Sequence, residues 1–183
     1  MLFNTASSYG LISRANHWIS AFVFIGLIAL GIYMHELEDS PEKFQLYDLH
    51  KSLGVGLFLL MILRLMWLKV NPNPAQLSKN KFENVLGHAV KGILYLAMIM
   101  LPISGWLMSN SAGYDVSFFS LFTLPNLVGE NETIHEIAEA IHGTMGPLMI
   151  IVILLHVAGA LKHHFVYKDE TLLRMLGKGN QQD

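Results

Sequence analysis

Three stretches of this chain carry no charged residue for the length of a bilayer-crossing helix: Ala15 to His35 (21 residues), Gly92 to Tyr114 (23) and Ala140 to Leu161 (22). About 20 apolar residues suffice to carry a helix across hydrocarbon, where every backbone polar group must be satisfied within the segment. A fourth stretch, Leu49 to Leu68, has Lys51 near its start and Arg64 near its end, positions from which long side chains snorkel to an interface. The expected fold is an all-α membrane protein: an antiparallel four-helix transmembrane bundle with helices at about 15–35, 49–68, 90–112 and 138–164, in one domain over 1–183. A mean hydropathy of +0.42, with 52% hydrophobic and 14% charged residues, agrees with that reading. The first span is longer than a secretory h-region and no Ala-x-Ala follows it, so it is expected to be retained.

The connections differ in character. A short acidic loop follows the first span, and a basic one containing Asn71-Pro72-Asn73-Pro74 follows the second. The segment from Asn110 to Glu139 carries Tyr114, Phe118, Phe119 and Phe122, and is expected to rest at the interface as a lid. Pro102 should loosen the third helix, and Lys168 to Leu176 reads as a short C-terminal amphipathic helix on the basic side. Ten of the twelve lysines and arginines fall on the side of the two termini, which places both termini in the cytoplasm. The opposite face holds ten acids against Lys43 and Lys51. A net charge of −2 gives no reason to expect a nucleic-acid partner.

Without cysteine the chain can form no thiolate metal site or iron–sulfur cluster, so any cofactor must use other ligands. Histidines supply them. His17, His50, His142 and His156 lie on the expected helices, within or at the rim of the apolar layer, where imidazoles need a reason to be. His142 and His156 are 14 residues apart, so their rings should share one face of the fourth helix about 21 Å apart along its axis. Alternating helix direction then levels His156 with His17 and His142 with His50. Two facing imidazoles form the axial set of a b-type haem, whereas zinc or copper would normally recruit further ligands. Arg64 lies 14 residues after His50, where it could pair with a haem propionate. Gly54, Gly56, Gly143, Gly146 and Gly159 follow the histidines, and Gly31 falls 14 residues after His17, all offering clearance for a flat macrocycle.

Several short pieces in this order and spacing resemble the bacterial cytochrome b561 family over nearly the whole chain. They are Asn16-His17-Trp18, Leu49-His50 with Gly54 and Arg64-Leu65, Leu101-Pro102-Ile103-Ser104-Gly105, and His142-Gly143-Thr144 with His156. The tail adds His163-His164-Phe165, Lys168-Asp169, Thr171-Leu172 and Arg174-Met175. The resemblance implies two b haems, ligated by His17 with His156 and by His50 with His142, in the bacterial inner membrane. Relatives oxidise superoxide to dioxygen and reduce ubiquinone, so it implies an oxidoreductase passing single electrons between those partners. The alternative within the same chemistry is a haem b anchor that links a partner dehydrogenase or hydrogenase to the quinone pool. A histidine-lined transporter is disfavoured, because no Asp or Glu lies in the charge-free windows to relay charge.

The substrate sites leave fainter marks. Lys51 beside His50 is the candidate for drawing in an anionic donor on an otherwise acidic face, where Glu139 precedes His142. His163, seven residues after His156, continues the ligand face of the fourth helix and could hydrogen-bond a quinone carbonyl or a propionate. His88, Lys91 and His164 are rim residues whose roles stay open, and His35 and His135 are expected at the outer surface.

Overall fold

The computed structural model describes residues 1–78 and 80–179. Four long helices dominate: α1 (Leu11–Glu36), α2 (Pro41–Val70), α3 (Lys81–Ser111) and α4 (Glu132–Lys162). A two-stranded hairpin, β1 (Ser117–Phe118) and β2 (Phe122–Thr123), lies between α3 and α4, and a short helix α5 (Thr171–Leu176) follows a π-helical turn at His163–Tyr167. All four long helices are long and apolar enough to cross a membrane, as the charge-free windows required. The protein is a mostly helical bundle.

Each helix runs past its apolar window into polar residues, because capping and not hydropathy sets its end. Ser40 Oγ accepts from the Lys43 N–H and Pro41 opens α2, Asn80 Oδ1 accepts from Phe82 and Glu83 at the head of α3, and Asn131 Oδ1 accepts from Ile134 at the head of α4. Pro102 sits inside α3 and Pro147 inside α4 without ending either helix. Membrane helices tolerate this because neighbours satisfy the freed carbonyls. Lys168 closes the π-turn in a left-handed conformation, and Gly177 (φ 76°) ends α5 in the same way, with Lys178 N–H donating to the Leu173 carbonyl.

The chain divides into two compact units, and each long helix contributes a segment to both. In the first unit (Met1–Ala21, Leu60–Tyr95, Ile151–Asp183) the helices meet around a ring of side-chain contacts. Asn16 on α1 reaches the Leu60 carbonyl on α2, Arg64 on α2 donates to Tyr95 on α3, Glu83 on α3 pairs with Lys162 on α4, and His156 on α4 faces His17 on α1. The N-terminal segment folds back over this unit. Buried Asn4 donates to the Pro72 carbonyl and accepts from the Gly10 N–H and Ser13 hydroxyl, while Phe3 stacks on Trp67.

In the second unit (Phe22–Leu59, Leu96–Ile150) the buried apolar residues include Phe24, Leu27, Met34, Leu57, Ala97, Leu101 and Met149. The aromatic segment foreseen as a lid becomes the β1–β2 hairpin, stapled to α2. Ser52 accepts from the Phe119 N–H and donates to the Ser117 carbonyl, and Lys51 donates to the Asp115 carbonyl. Its turn places Phe119 (φ 47°) and Ser120 (φ 57°) in the left-handed region, with Leu121 N–H returning to the Phe118 carbonyl.

Candidate functional site

Four helix-borne imidazoles form two facing pairs, one in each unit. In the first unit the rings of His17 and His156 stand 6.2 Å apart with planes at 51°; in the second, those of His50 and His142 stand 6.1 Å apart with planes at 73°. Two nitrogens bound to opposite sides of one metal ion, each at about 2.0 Å, lie about 4 Å apart, and adding the half-width of each ring brings the ring centres to about 6 Å. Both pairs match that spacing. The described residues bring together no cluster of three His, Cys, Asp or Glu side chains that could hold a bare ion, so each pair suits a centre whose remaining ligands come from a macrocycle.

The second pair is built in detail. His142 Nδ1–H donates to the Leu101 carbonyl at 2.9 Å, which leaves Nε2 as the outward-facing lone pair. Ser104 Oγ donates to the same carbonyl at 2.9 Å and lies 3.2 Å from His142 Nδ1. Gly105 completes the cradle: a Cβ there would come 2.9 Å from His142 Cε1 and 3.2 Å from Nδ1. Opposite, a Cβ at Gly31 would come 3.4 Å from His50 Cε1. Buried His50 Nδ1 and Trp106 Nε1 have no protein partner. The run Leu101-Pro102-Ile103-Ser104-Gly105, visible in the sequence only as a likeness, thus has a physical role as the seat of His142. Leu101 and Ser104 went unrecognised as site residues because a backbone acceptor leaves no mark in sequence.

Around the first pair, Arg64 donates through Nε to Tyr95 Oη at 3.2 Å and through a terminal nitrogen to Asn16 Oδ1 at 3.3 Å. Asn16 in turn donates to the Leu60 carbonyl at 3.2 Å, so the residue before His17 links α1 to α2. Ser20, one turn after His17, has a buried hydroxyl without a protein partner. Trp18 Nε1–H donates to the Met175 carbonyl, tying α5 to the turn of α1 that carries His17. The expected amphipathic helix is therefore held by protein contacts.

His163 begins the π-helical turn and its Nδ1 lies 2.6 Å from Asp169 Oδ2, an ion-pair geometry in which both side chains are about one-fifth exposed. Burial raises the Asp169 carboxyl, but hydrogen bonds from His163 and Thr171 outweigh it and hold the group below the ordinary carboxylate range. Nearby, Glu83 Oε1 accepts from Lys162 Nζ at 2.8 Å and Tyr167 Oη at 2.6 Å, while Oε2 is buried without a partner.

Lys51 is already engaged. It pairs with Asp48 at 3.0 Å and donates to the Asp115 carbonyl at 3.2 Å. Lys43 likewise holds Asp39 and the Leu37 carbonyl. His135, expected at the surface, contacts the Met108 carbonyl at 3.1 Å and sits 4.0 Å from Glu139. His88 contacts Gln76 and the Asn84 carbonyl, and His164 packs on Phe165.

Residues 8–178 match the family model described as prokaryotic cytochrome b561. The chain is similar to cytochrome b561 homolog 2 of Escherichia coli, with 35% identity over 97% of this chain and 95% of that protein. It is also similar to a probable superoxide oxidase of Yersinia pestis (33% identity, 93% of this chain and 96% of that protein) and to cytochrome b561 homolog 1 of Escherichia coli (27%, 87% and 92%).

Proposed function

This chain belongs to the prokaryotic cytochrome b561 family of electron-transferring, haem b membrane cytochromes, and from that premise we propose that it oxidises superoxide and reduces ubiquinone. The balance is two superoxide anions plus one quinone and two protons giving two dioxygen molecules and one quinol. Two haems b, held by His17 with His156 and by His50 with His142, would supply reversible one-electron storage, so that a one-electron donor can serve a two-electron acceptor. The observation that carries the reading is the pair of imidazole couples at 6.2 and 6.1 Å.

The residues divide the remaining work. Each haem, held by two imidazoles, would supply one-electron chemistry without binding the donor to its iron. His142 is kept in one tautomer by the Leu101 carbonyl, and Gly105 and Gly31 leave the rings room. Lys51, beside His50, supplies a local positive charge for an anionic donor. His163, with Asp169 behind its Nδ1, presents Nε2 as the group to hydrogen-bond a quinone carbonyl and pass it a proton, the imidazolium being stabilised by the carboxylate. Arg64 is the cation assigned to a propionate. The termini and most lysines and arginines lie on the cytoplasmic side of the inner membrane in this reading.

The deciding assay is superoxide-dependent ubiquinone reduction by the isolated protein, expected to be abolished by superoxide dismutase. A pigment-bearing preparation without that activity would instead support the anchor reading, in which a partner dehydrogenase or hydrogenase supplies electrons. One observation favours that second reading: both lysines of the acidic face are tied to neighbouring acids and carbonyls.

A further inference from the structure

Among the described residues, the arginines of the first unit, Arg14, Arg64 and Arg174, have no carboxylate partner. The Nε atoms of Arg14 and Arg174 are both buried and have no hydrogen-bond partner. A guanidinium offers five donors in a rigid fork and cannot shed its proton, so buried unpaired donors on two neighbouring forks call for an acceptor that is itself charged.

The two forks line one small cavity together with Met1, Ser8, Tyr9, Gly177 and Gly179. That cavity is built rather than incidental. A Cβ at Gly177 would overlap the Arg14 guanidinium, so glycine there serves both the left-handed end of α5 and the seating of Arg14. Arg174 is anchored through a terminal nitrogen to the Ala75 carbonyl at 2.9 Å, and α5 is pinned by Trp18 to Met175. Burial and nearby Tyr95 push the Tyr9 hydroxyl upward against the opposing pull of Arg64 and Arg174, so it stays protonated as a donor in the field of both arginines. Arg14 precedes His17 by three residues, one helical turn, which sets the cavity beside a ligand-bearing segment at the polar end of α1.

We propose that Arg14 and Arg174 form an oxyanion site, with Tyr9 and Ser8 as its neutral donors, that takes the carboxylate or phosphate of an amphiphile lying at the membrane boundary. Two sources carry that chemistry there: the phosphate of an anionic phospholipid, and a propionate of the group that His17 and His156 would ligate. Only the second rests on the functional reading above.

The test uses the full-length, pigment-bearing protein as wild type, as the double variant Arg14→Gln/Arg174→Gln, and as the charge-keeping Arg14→Lys/Arg174→Lys. Delipidated samples in neutral detergent are offered phosphatidylglycerol or phosphatidylcholine, with retention read by native mass spectrometry, and potentials are read by spectroelectrochemical titration. A phosphate ligand predicts at least a tenfold loss of phosphatidylglycerol retention in the Gln variant, with potentials unchanged. A propionate predicts a fall in the potential of one haem only, because removing cations disfavours the added electron, with lipid retention unchanged. Unaltered retention and unaltered potentials in the Gln variant overturn the site. Should the double Gln variant fail to fold, the single variants Arg14→Gln and Arg174→Gln decide, since each removes one cation: unaltered retention and unaltered potentials in both overturn the site equally, whereas the Lys variant, which keeps the charge, is expected to hold wild-type potentials. Colourless protein that still loses phosphatidylglycerol on substitution would sink the haem reading and leave the oxyanion site standing.

Discussion

His142 Nδ1 lies 2.9 Å from the Leu101 carbonyl oxygen, across the contact between α4 and α3, and that one bond fixes which nitrogen of the ring is free. A carbonyl only accepts, so Nδ1 carries the proton and Nε2 carries the lone pair. Because Ser104 donates to the same oxygen and Gly105 leaves the ring space, three residues within two turns of α3 decide the orientation of a side chain on α4.

Gly105→Ala tests that cradle. The added Cβ would stand 2.9 Å from His142 Cε1, closer than real Cβ contacts allow, so the ring must tilt out of line. Loss of such a supporting contact costs roughly 10–100-fold in metal affinity. The variant is expected to lose one of two haems, or bind it weakly, as counted by pyridine haemochrome against protein. Full occupancy with an unshifted spectrum would show that the ring tolerates the crowding.

His142→Ala and His17→Ala, made separately, should each remove one haem and leave the other, since the two pairs lie in different units. Reduced-minus-oxidised spectra and potentiometric titration count what remains. Retention of both haems in either variant breaks the assigned pairings.

The two facing histidine pairs were legible because membrane depth and a 14-residue spacing leave few ways to sort four histidines, and Gly31 could be set against His50 by the same counting. The helix ends were not, because the charge-free windows mark the apolar layer whereas Ser40, Asn80 and Asn131 mark the caps beyond it. The hairpin was hidden for another reason. Its left-handed residues are Phe119 and Ser120, where a turn of that type ordinarily announces itself with Asn or Gly. The fold-back of residues 1–10 was hidden because its contacts, Asn4 with Pro72, Gly10 and Ser13, Phe3 with Trp67 and the Ala6 carbonyl with the Ala75 N–H, follow no periodicity.

Ser120→Gly should stabilise the hairpin by about 0.5–1 kcal/mol, since a side chain at φ 57° carries a steric cost that glycine lacks. Hydrogen exchange at residues 117–123 is the local readout. Faster exchange in the variant would mean that the extra chain entropy of glycine outweighs the relief.

Superoxide as donor has an unusual electrostatic consequence. The face bearing Lys43 and Lys51 holds ten acids, so it repels the anion, and added salt should raise the rate of quinone reduction rather than lower it. Lys51→Gln should lower the rate roughly a few-fold at low ionic strength, with the difference shrinking as salt screens it, because a single partly paired lysine supplies the local attraction. Rates that fall with salt in the wild type would mean that the donor meets a different surface.

The tail carries its own pH dependence, with a definite sign. Asp169 is held below its ordinary value of 3.8, so its pairing with His163 stabilises the docked tail fully above the ordinary carboxylate range. That contribution is lost as pH falls through the lower, folded-state value, and pH changes between neutrality and about 5 should leave it intact through Asp169 alone. Hydrogen-exchange protection over Thr171–Leu176 is therefore expected to stay level across that upper range and to drop below about pH 4. Asp169→Asn should show reduced protection already at neutral pH and converge on the wild type in acid, because the neutral amide is a weaker acceptor for the His163 ring N–H than the carboxylate but can still accept from Thr171. The same substitution should weaken quinone reduction if His163 delivers a proton, and leave it unchanged if the pair only fastens the tail.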